Sequence, residues 1–155
     1  QARYAVLRAV DPGAGTVAFH TDGRSPKCAQ LQADPRVAWC FFGHGEQVRL
    51  TGTVQLHADD AESDAAWAAS RRSARQNYAG ANAPGTHVGE PGEGGPPGLG
   101  APPLDDAGIA LARSNFVFAR ITVASVDWLS LSAAGHARAR FDRADGGWRS
   151  TWITP

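Results

Sequence analysis

Hydrophobic and polar residues alternate most regularly between Glu46 and His57. Val48, Leu50, Gly52, Val54 and Leu56 fall on one side there, and Gln47, Arg49, Thr51, Thr53 and Gln55 on the other. A period of two over that length predicts a strand with one oily and one polar face. The same period sets Val17, Phe19 and Thr21 against Thr16, Ala18 and His20, so Thr16 to Asp22 reads as a strand. Arg3 to Val10 reads as its hairpin partner, joined through the turn Asp11-Pro12-Gly13. Arg36 to Phe42 is apolar almost throughout, which predicts a strand buried on both faces, with Trp39 and Phe41 in the core. The last third returns to strands over Asn115 to Val123, Asp127 to Leu131, His136 to Asp142 and Trp148 to Ile153, the last following the turn Asp145-Gly146-Gly147.

Helices are short. Asp22-Gly23 signals a turn, Ser25 suits an N-cap and Pro26 the first helical position, so a helix should run from Pro26 to about Ala33. Asp59 or Asp60 caps a second helix ending near Arg75, and a helical turn is expected over Asp105 to Ala112. Between them, 14 of the 28 residues from Ala79 to Asp106 are Gly or Pro, too many for helix or central strand. That segment is expected as a long loop, ordered around Pro84-Gly85-Thr86-His87 and mobile near Gly92 to Gly100. With polar edges to cover, roughly six to eight strands should close into a small antiparallel barrel with a few short flanking helices. The expectation is a mainly β (α+β) fold in one domain over residues 1–155.

Composition narrows the function. Fifteen basic and fifteen acidic side chains give a formal net charge of zero, which argues against nucleic-acid binding by bulk electrostatics. No apolar run reaches the length of a bilayer and no signal-peptide pattern is visible, so a cytoplasmic location is expected. The chain opens on Gln1 and contains no Met, which leaves open what precedes it. Cys28 and Cys40 are expected as unpaired thiols. Five scattered histidines lack the spacing of a metal site, and P-loop, dinucleotide and nucleophile-elbow motifs are missing. No residue stands out as nucleophile or general base.

The chemistry that does stand out concerns anions. A helix start flanked by Arg24, Ser25 and Lys27 suits a phosphate, although a plain solvated turn fits the same residues. Arg24 itself reads as solvated. The strand carrying His136, Arg138 and Arg140 puts three basic groups on one face, either a solvated surface or a cationic wall toward a ligand. Arg3 and Arg8 fall on opposite faces of the first strand. Phosphate-binding signals without catalytic groups point to chemistry supplied by a cofactor.

The blocks Arg3-Tyr4-Ala5-Val6-Leu7-Arg8, Phe19-His20-Thr21-Asp22, Ser25-Pro26-Lys27, Asp34-Pro35-Arg36-Val37-Ala38 and Gln47-Val48-Arg49-Leu50-Thr51-Gly52 together resemble the pyridoxamine 5'-phosphate oxidase-related family of FMN-binding split barrels. Val126-Asp127-Trp128-Leu129, Arg138-Ala139-Arg140-Phe141 and Trp148 to Pro155 extend the resemblance to the C-terminus, with the middle loop as the exception. The resemblance implies a homodimer with two flavins at its interface. Arg3 and Lys27 would hold the FMN phosphate with help from Ser25, while the main chain of Arg3, Tyr4, Ala5, Val6 and Leu7, with His20 and Thr21, would line the flavin. Gln47 and Arg140 would come from the partner subunit or the far wall. The oxidase's substrate-gripping Arg-x-His pair is reversed here, as His136 and Arg138, and its preceding aromatic falls at Ser130. Its flavin-contacting Gln-Ser pair falls at Pro84-Gly85, and Arg71 lies near its substrate-phosphate arginine. Arg8, Arg71, His136 and Arg138 are thus the substrate candidates. The resemblance implies an FMN-dependent oxidoreductase of unassigned substrate. A flavin carrier or sensor without turnover, or a split barrel binding haem or a deazaflavin, are the alternatives.

Overall fold

In the computed structural model the described residues are 1–98, 101–145 and 147–155. Seven strands form one antiparallel sheet: β1 (Leu7–Asp11), β2 (Thr16–Asp22), β3 (Arg36–Gly43), β4 (Glu46–His57), β5 (Phe116–Ser132), β6 (Gly135–Ala144) and β7 (Gly147–Ile153). The order is β1-β2-β5-β4-β3, with β6 pairing β5 and β7. The helices α1 (Pro26–Ala33), α2 (Ala61–Ala69), α3 (Arg72–Arg75) and α4 (Asp106–Asn115) are short, as expected of a mainly β fold. Among the described residues no helix is long and apolar enough to cross a membrane.

Two compact units emerge from the packing. The first comprises Gln1–Ala9, Ala18–Asp34 and Leu56–Arg120; the second comprises Val10–Val17, Pro35–Gln55 and Ile121–Pro155. Phe116 and Ala112 are fully buried at the centre of the first, with Tyr78 against them and Trp67, Leu104 and Phe118 packed around. Tyr78 and Trp67 both meet Phe116 edge-on, at 5.1 and 5.3 Å between ring centres. Such pairing adds to the area the rings bury. In the second unit Leu50, Val54, Ile121, Val123 and Ala139 are buried, the first two on the face assigned to the core from the alternation in β4.

Several elements differ from the sequence expectation for identifiable reasons. The first strand begins at Leu7 rather than Arg3, and residues 1–6 are exposed irregular backbone. β5 is one strand of 17 residues instead of two, because Ala124-Ser125-Val126 contains neither Gly nor Pro to break it. β3 is not buried on both faces. It lies at an end of the strand order and alternates, with Ala38, Cys40 and Phe42 exposed and Phe42 at 71%. The helix expected to end near Arg75 stops at Ala69, where Ser70 takes an extended conformation, and resumes as α3. Its start is as expected: the Asp60 carboxylate accepts from the Ser63 N–H at 2.9 Å, and the Ser63 hydroxyl accepts from the Asp60 N–H at 3.1 Å. Cys28 is buried and Cys40 exposed, both as free thiols. The turn at Asp145-Gly146-Gly147 and the mobility expected near Gly92–Gly100 fall partly on Gly146, Leu99 and Gly100, which lie outside the described residues.

Two tight places in the second unit show how closely the backbone is fitted. β3 and β4 join through His44 and Gly45, both at positive φ (53° and 77°), the two-residue turn whose twist matches a hairpin. Gly52 of β4 packs so closely on β5 that a methyl group there would lie 2.1 Å from the Thr122 carbonyl oxygen. Gly52→Ala should therefore push the two strands apart and cost about 2–3 kcal/mol of stability. Urea unfolding followed by tryptophan fluorescence measures it; an unchanged midpoint would show that the strands do not approach this closely.

Candidate functional site

The turn from β2 into α1 gathers the residues singled out for anion binding in the first unit. Ser25 is the N-cap residue, yet its hydroxyl makes no capping bond to the helix. It accepts a hydrogen bond from Lys27 Nζ at 3.0 Å, and Thr21 Oγ1 accepts a second from the same ammonium at 2.8 Å. Both hydroxyl residues are buried, at 5% and 4% exposure. Arg3 reaches the same helix from the N-terminal segment, its guanidinium donating to Gln30 Oε1 at 2.5 Å and Gln1 Oε1 at 2.8 Å. Burial pulls the Lys27 pKa below 10.5, and the positive charge of Arg3 pulls the same way. Two cations, two buried hydroxyls and an uncapped helix start are a strong receptor for a phosphate or a similar anion. Gln30 was not singled out from the sequence, although its place one turn after Lys27 on α1 puts both on one face.

Arg24 corrects the sequence expectation. Its side chain is 28% exposed and forked onto Asp22, with Nε 3.1 Å from Oδ1 and Nη2 2.8 Å from Oδ2. It is a structural clamp and not a solvated charge.

The same unit holds a recess of about 720 Å3, lined by Arg8, His20, Glu62, Arg71, Phe118 and a wall of alanines from α2. Arg8 and Arg71, distant in sequence, are thus brought to one cavity. His20 stands edge-on to Phe116 and Phe118, with ring centres 4.9 and 5.9 Å away. Burial lowers its pKa below 6.5, as does the charge of Arg8, which favours the neutral imidazole. Glu62, also not singled out from the sequence, pairs with Arg120 and lies 3.8 Å from Nε2 of the buried His57, whose Nδ1 is 2.7 Å from Asp60 Oδ2. Tyr4, Ala5 and Val6 are exposed, and Leu7 opens β1.

Gln47, His136, Arg138 and Arg140 belong to the second unit. Gln47 pairs across the hairpin with Phe42, and His136 is exposed opposite Leu131. The arginines of β6 are engaged by carboxylates. Arg138 forks onto Asp127 at 3.0 and 2.7 Å, Arg49 reaches the same carboxylate at 2.6 Å, and Arg140 binds Asp142 at 2.9 Å. The hydrogen bond from Arg138, helped by Arg49, brings the Asp127 pKa from 3.8 down to about 2.

The family model for pyridoxamine 5'-phosphate oxidase matches residues 2–90, more than half of the chain and all of the β2–α1 turn. The chain belongs to the pyridoxamine 5'-phosphate oxidase family. No curated protein matches it. Among solved structures, a pyridoxamine 5'-phosphate oxidase-related, FMN binding protein of Nostoc punctiforme is 28% identical, with a TM-score of 0.74 over 99% of this chain and 80% of that one. PhzG of Burkholderia lata, solved in complex with tetrahydrophenazine-1-carboxylic acid, shares the fold at 18% identity and a TM-score of 0.67, over 99% of this chain and 74% of its own. This member of the family has the split-barrel fold class expected from its sequence.

The Asp127 cluster generates a test in acid. A carboxylate whose pKa is depressed on folding stabilises the protein above its unfolded value, and that stabilisation is lost as pH falls through the folded value. Asp127 should contribute fully above about pH 4 and lose its contribution on approach to pH 2. Asp127→Asn should be less stable than wild type at pH 6, with the difference shrinking toward pH 2 in urea unfolding. A difference independent of pH would show that the ion pairs contribute nothing.

Proposed function

We propose that this chain binds FMN, with the phosphate at the start of α1, and acts as a flavin-dependent oxidoreductase on a small anionic substrate. The observation that carries the proposal is the gathering of Arg3 and Lys27 with Thr21 and Ser25 around an uncapped helix start. The donor set fits a phosphate monoester: a guanidinium, an ammonium and two hydroxyl groups, all matched to a dianion. The FMN binding protein of Nostoc punctiforme, 28% identical to this chain, supports the choice of anion. Bound flavin would supply the redox step, transferring electrons between substrate and acceptor.

The chain's own residues then do the rest. Lys27 and Arg3 fix the phosphate, the segment from Arg3 to Leu7 together with His20 lines the ring, and the recess receives the substrate. Arg8 and Arg71 supply positive charge there for a carboxylate or phosphate, while neutral His20 and Phe118 give an aromatic wall. Gln47 and Arg140 complete the flavin site from the partner subunit of a homodimer. The exposed apolar side of β3, with Phe42 at 71%, supports that pairing, since an apolar strand at a sheet end invites a partner.

Fluorescence titration with FMN and riboflavin tests the phosphate site. Lys27→Ala and Arg3→Ala should each weaken FMN by roughly ten- to a hundred-fold, the loss of one charge-assisted hydrogen bond, and leave riboflavin nearly unaffected. Variants that do not separate the two flavins would place the phosphate elsewhere. FMN affinity should also rise as the phosphate takes its second charge near pH ~6. It should fall again in alkali as Lys27, its pKa already below 10.5, gives up its proton. A flat profile on the alkaline side would remove Lys27 from the site. Light scattering should report a dimer, with an interface above about 2,000 Å2; a stable monomer at micromolar concentration would contradict the shared site.

A further inference from the structure

Asp22 is a nearly buried carboxylate, its side chain 8% exposed, placed between Thr21 and the start of α1. An acidic group there is a liability for a phosphate site, since it repels the anion that Lys27 and Arg3 attract. Arg24 answers it with three donors: the backbone N–H to Oδ1 at 2.8 Å, Nε to Oδ1 at 3.1 Å and Nη2 to Oδ2 at 2.8 Å. The same guanidinium reaches the start of the Gly/Pro-rich loop. Nη2 donates to the Gly80 carbonyl at 2.9 Å and Nη1 to the Ala81 carbonyl at 3.1 Å. Five residues later the loop lies against α1, where a methyl group on Gly85 would come 3.8 Å from Pro26 Cγ.

We propose that Arg24 is a positioning residue for the anion site, neutralising Asp22 beside it and strapping the Gly80–Ala81 segment onto the β2–α1 turn. The inference rests on the FMN reading for its ligand, but its geometry does not. One planar group satisfies a carboxylate and two loop carbonyls at once, which a lysine cannot do. Loss of the clamp has two separable effects. The uncovered Asp22 charge weakens phosphate binding, and the freed loop no longer holds Gly85 on Pro26.

The experiment compares wild type, Arg24→Ala, Arg24→Lys and the double variant Asp22→Asn/Arg24→Ala. Amide hydrogen exchange of Gly80–Thr86 is followed without flavin, and dissociation constants are measured for FMN and riboflavin. Arg24→Ala should speed loop exchange and raise the FMN dissociation constant by about tenfold through repulsion from the uncovered Asp22 charge, with riboflavin changed by no more than about twofold. Arg24→Lys keeps the charge without the fork. It should move both readouts in the same direction by less, and it stands in if the alanine variant does not fold. Removing the Asp22 charge in the double variant should restore most of the FMN affinity while the loop stays fast. An unchanged loop and an unchanged FMN constant in both single variants would overturn the proposal. Wild-type protein holding FMN no tighter than riboflavin would instead overturn the phosphate site itself, and with it this role for Arg24.

Discussion

Two cations held at the start of one helix lose free energy through mutual repulsion and partial burial until an anion joins them. Lys27 and Arg3 are in that position, and their hydrogen-bond partners, Thr21, Ser25, Gln30 and Gln1, are all neutral. The nearby carboxylate of Asp22 is held by Arg24, although its charge still reaches Lys27 and pushes the ammonium pKa up against the effect of burial. The arrangement favours a ligand that brings negative charge in compact form. A phosphate does so, and the positive end of the α1 dipole favours it as well.

The turn that carries these groups is fixed from beneath. The Gly23 N–H donates to the Asn115 carbonyl at 2.7 Å, and the Asn115 side-chain amide donates to the Tyr78 carbonyl at 2.9 Å. Asn115 ends α4 and immediately precedes the fully buried Phe116, around which Tyr78 and Trp67 pack. Gly23 has room for little more than a hydrogen, since a methyl group would come 3.0 Å from Val117 Cγ2. The aromatic core of the first unit thus sets the position of the turn through two hydrogen bonds and one close contact. Rigidity at that point is what a preformed anion site needs.

The sequence was most legible where the signals were local. The period of two in β4, the Asp-Gly turn before α1 and the Ser-Pro start of that helix each rest on a few adjacent residues, and each is realised. It was least legible where tertiary position decides the outcome. Arg36 to Phe42 is apolar, yet β3 lies at an end of the strand order with alternate residues exposed, and composition alone does not separate that from a central strand. Arg24 offered no local signal of its carbonyl partners, which lie 56 and 57 residues away. The pairings of Glu62 and Asp127 have no local signal for a similar reason. Each becomes notable only when folding brings an arginine from another element against it.

Which ligand the chain selects is the most direct test of the anion site. Purified protein can be mixed with equal amounts of FMN, haem and a phosphate-bearing deazaflavin, passed through a desalting column, and its bound ligand released by heat and identified by absorption and mass. FMN should be retained in preference to the other two. Retention of haem or the deazaflavin, or of none of the three, would contradict the FMN reading.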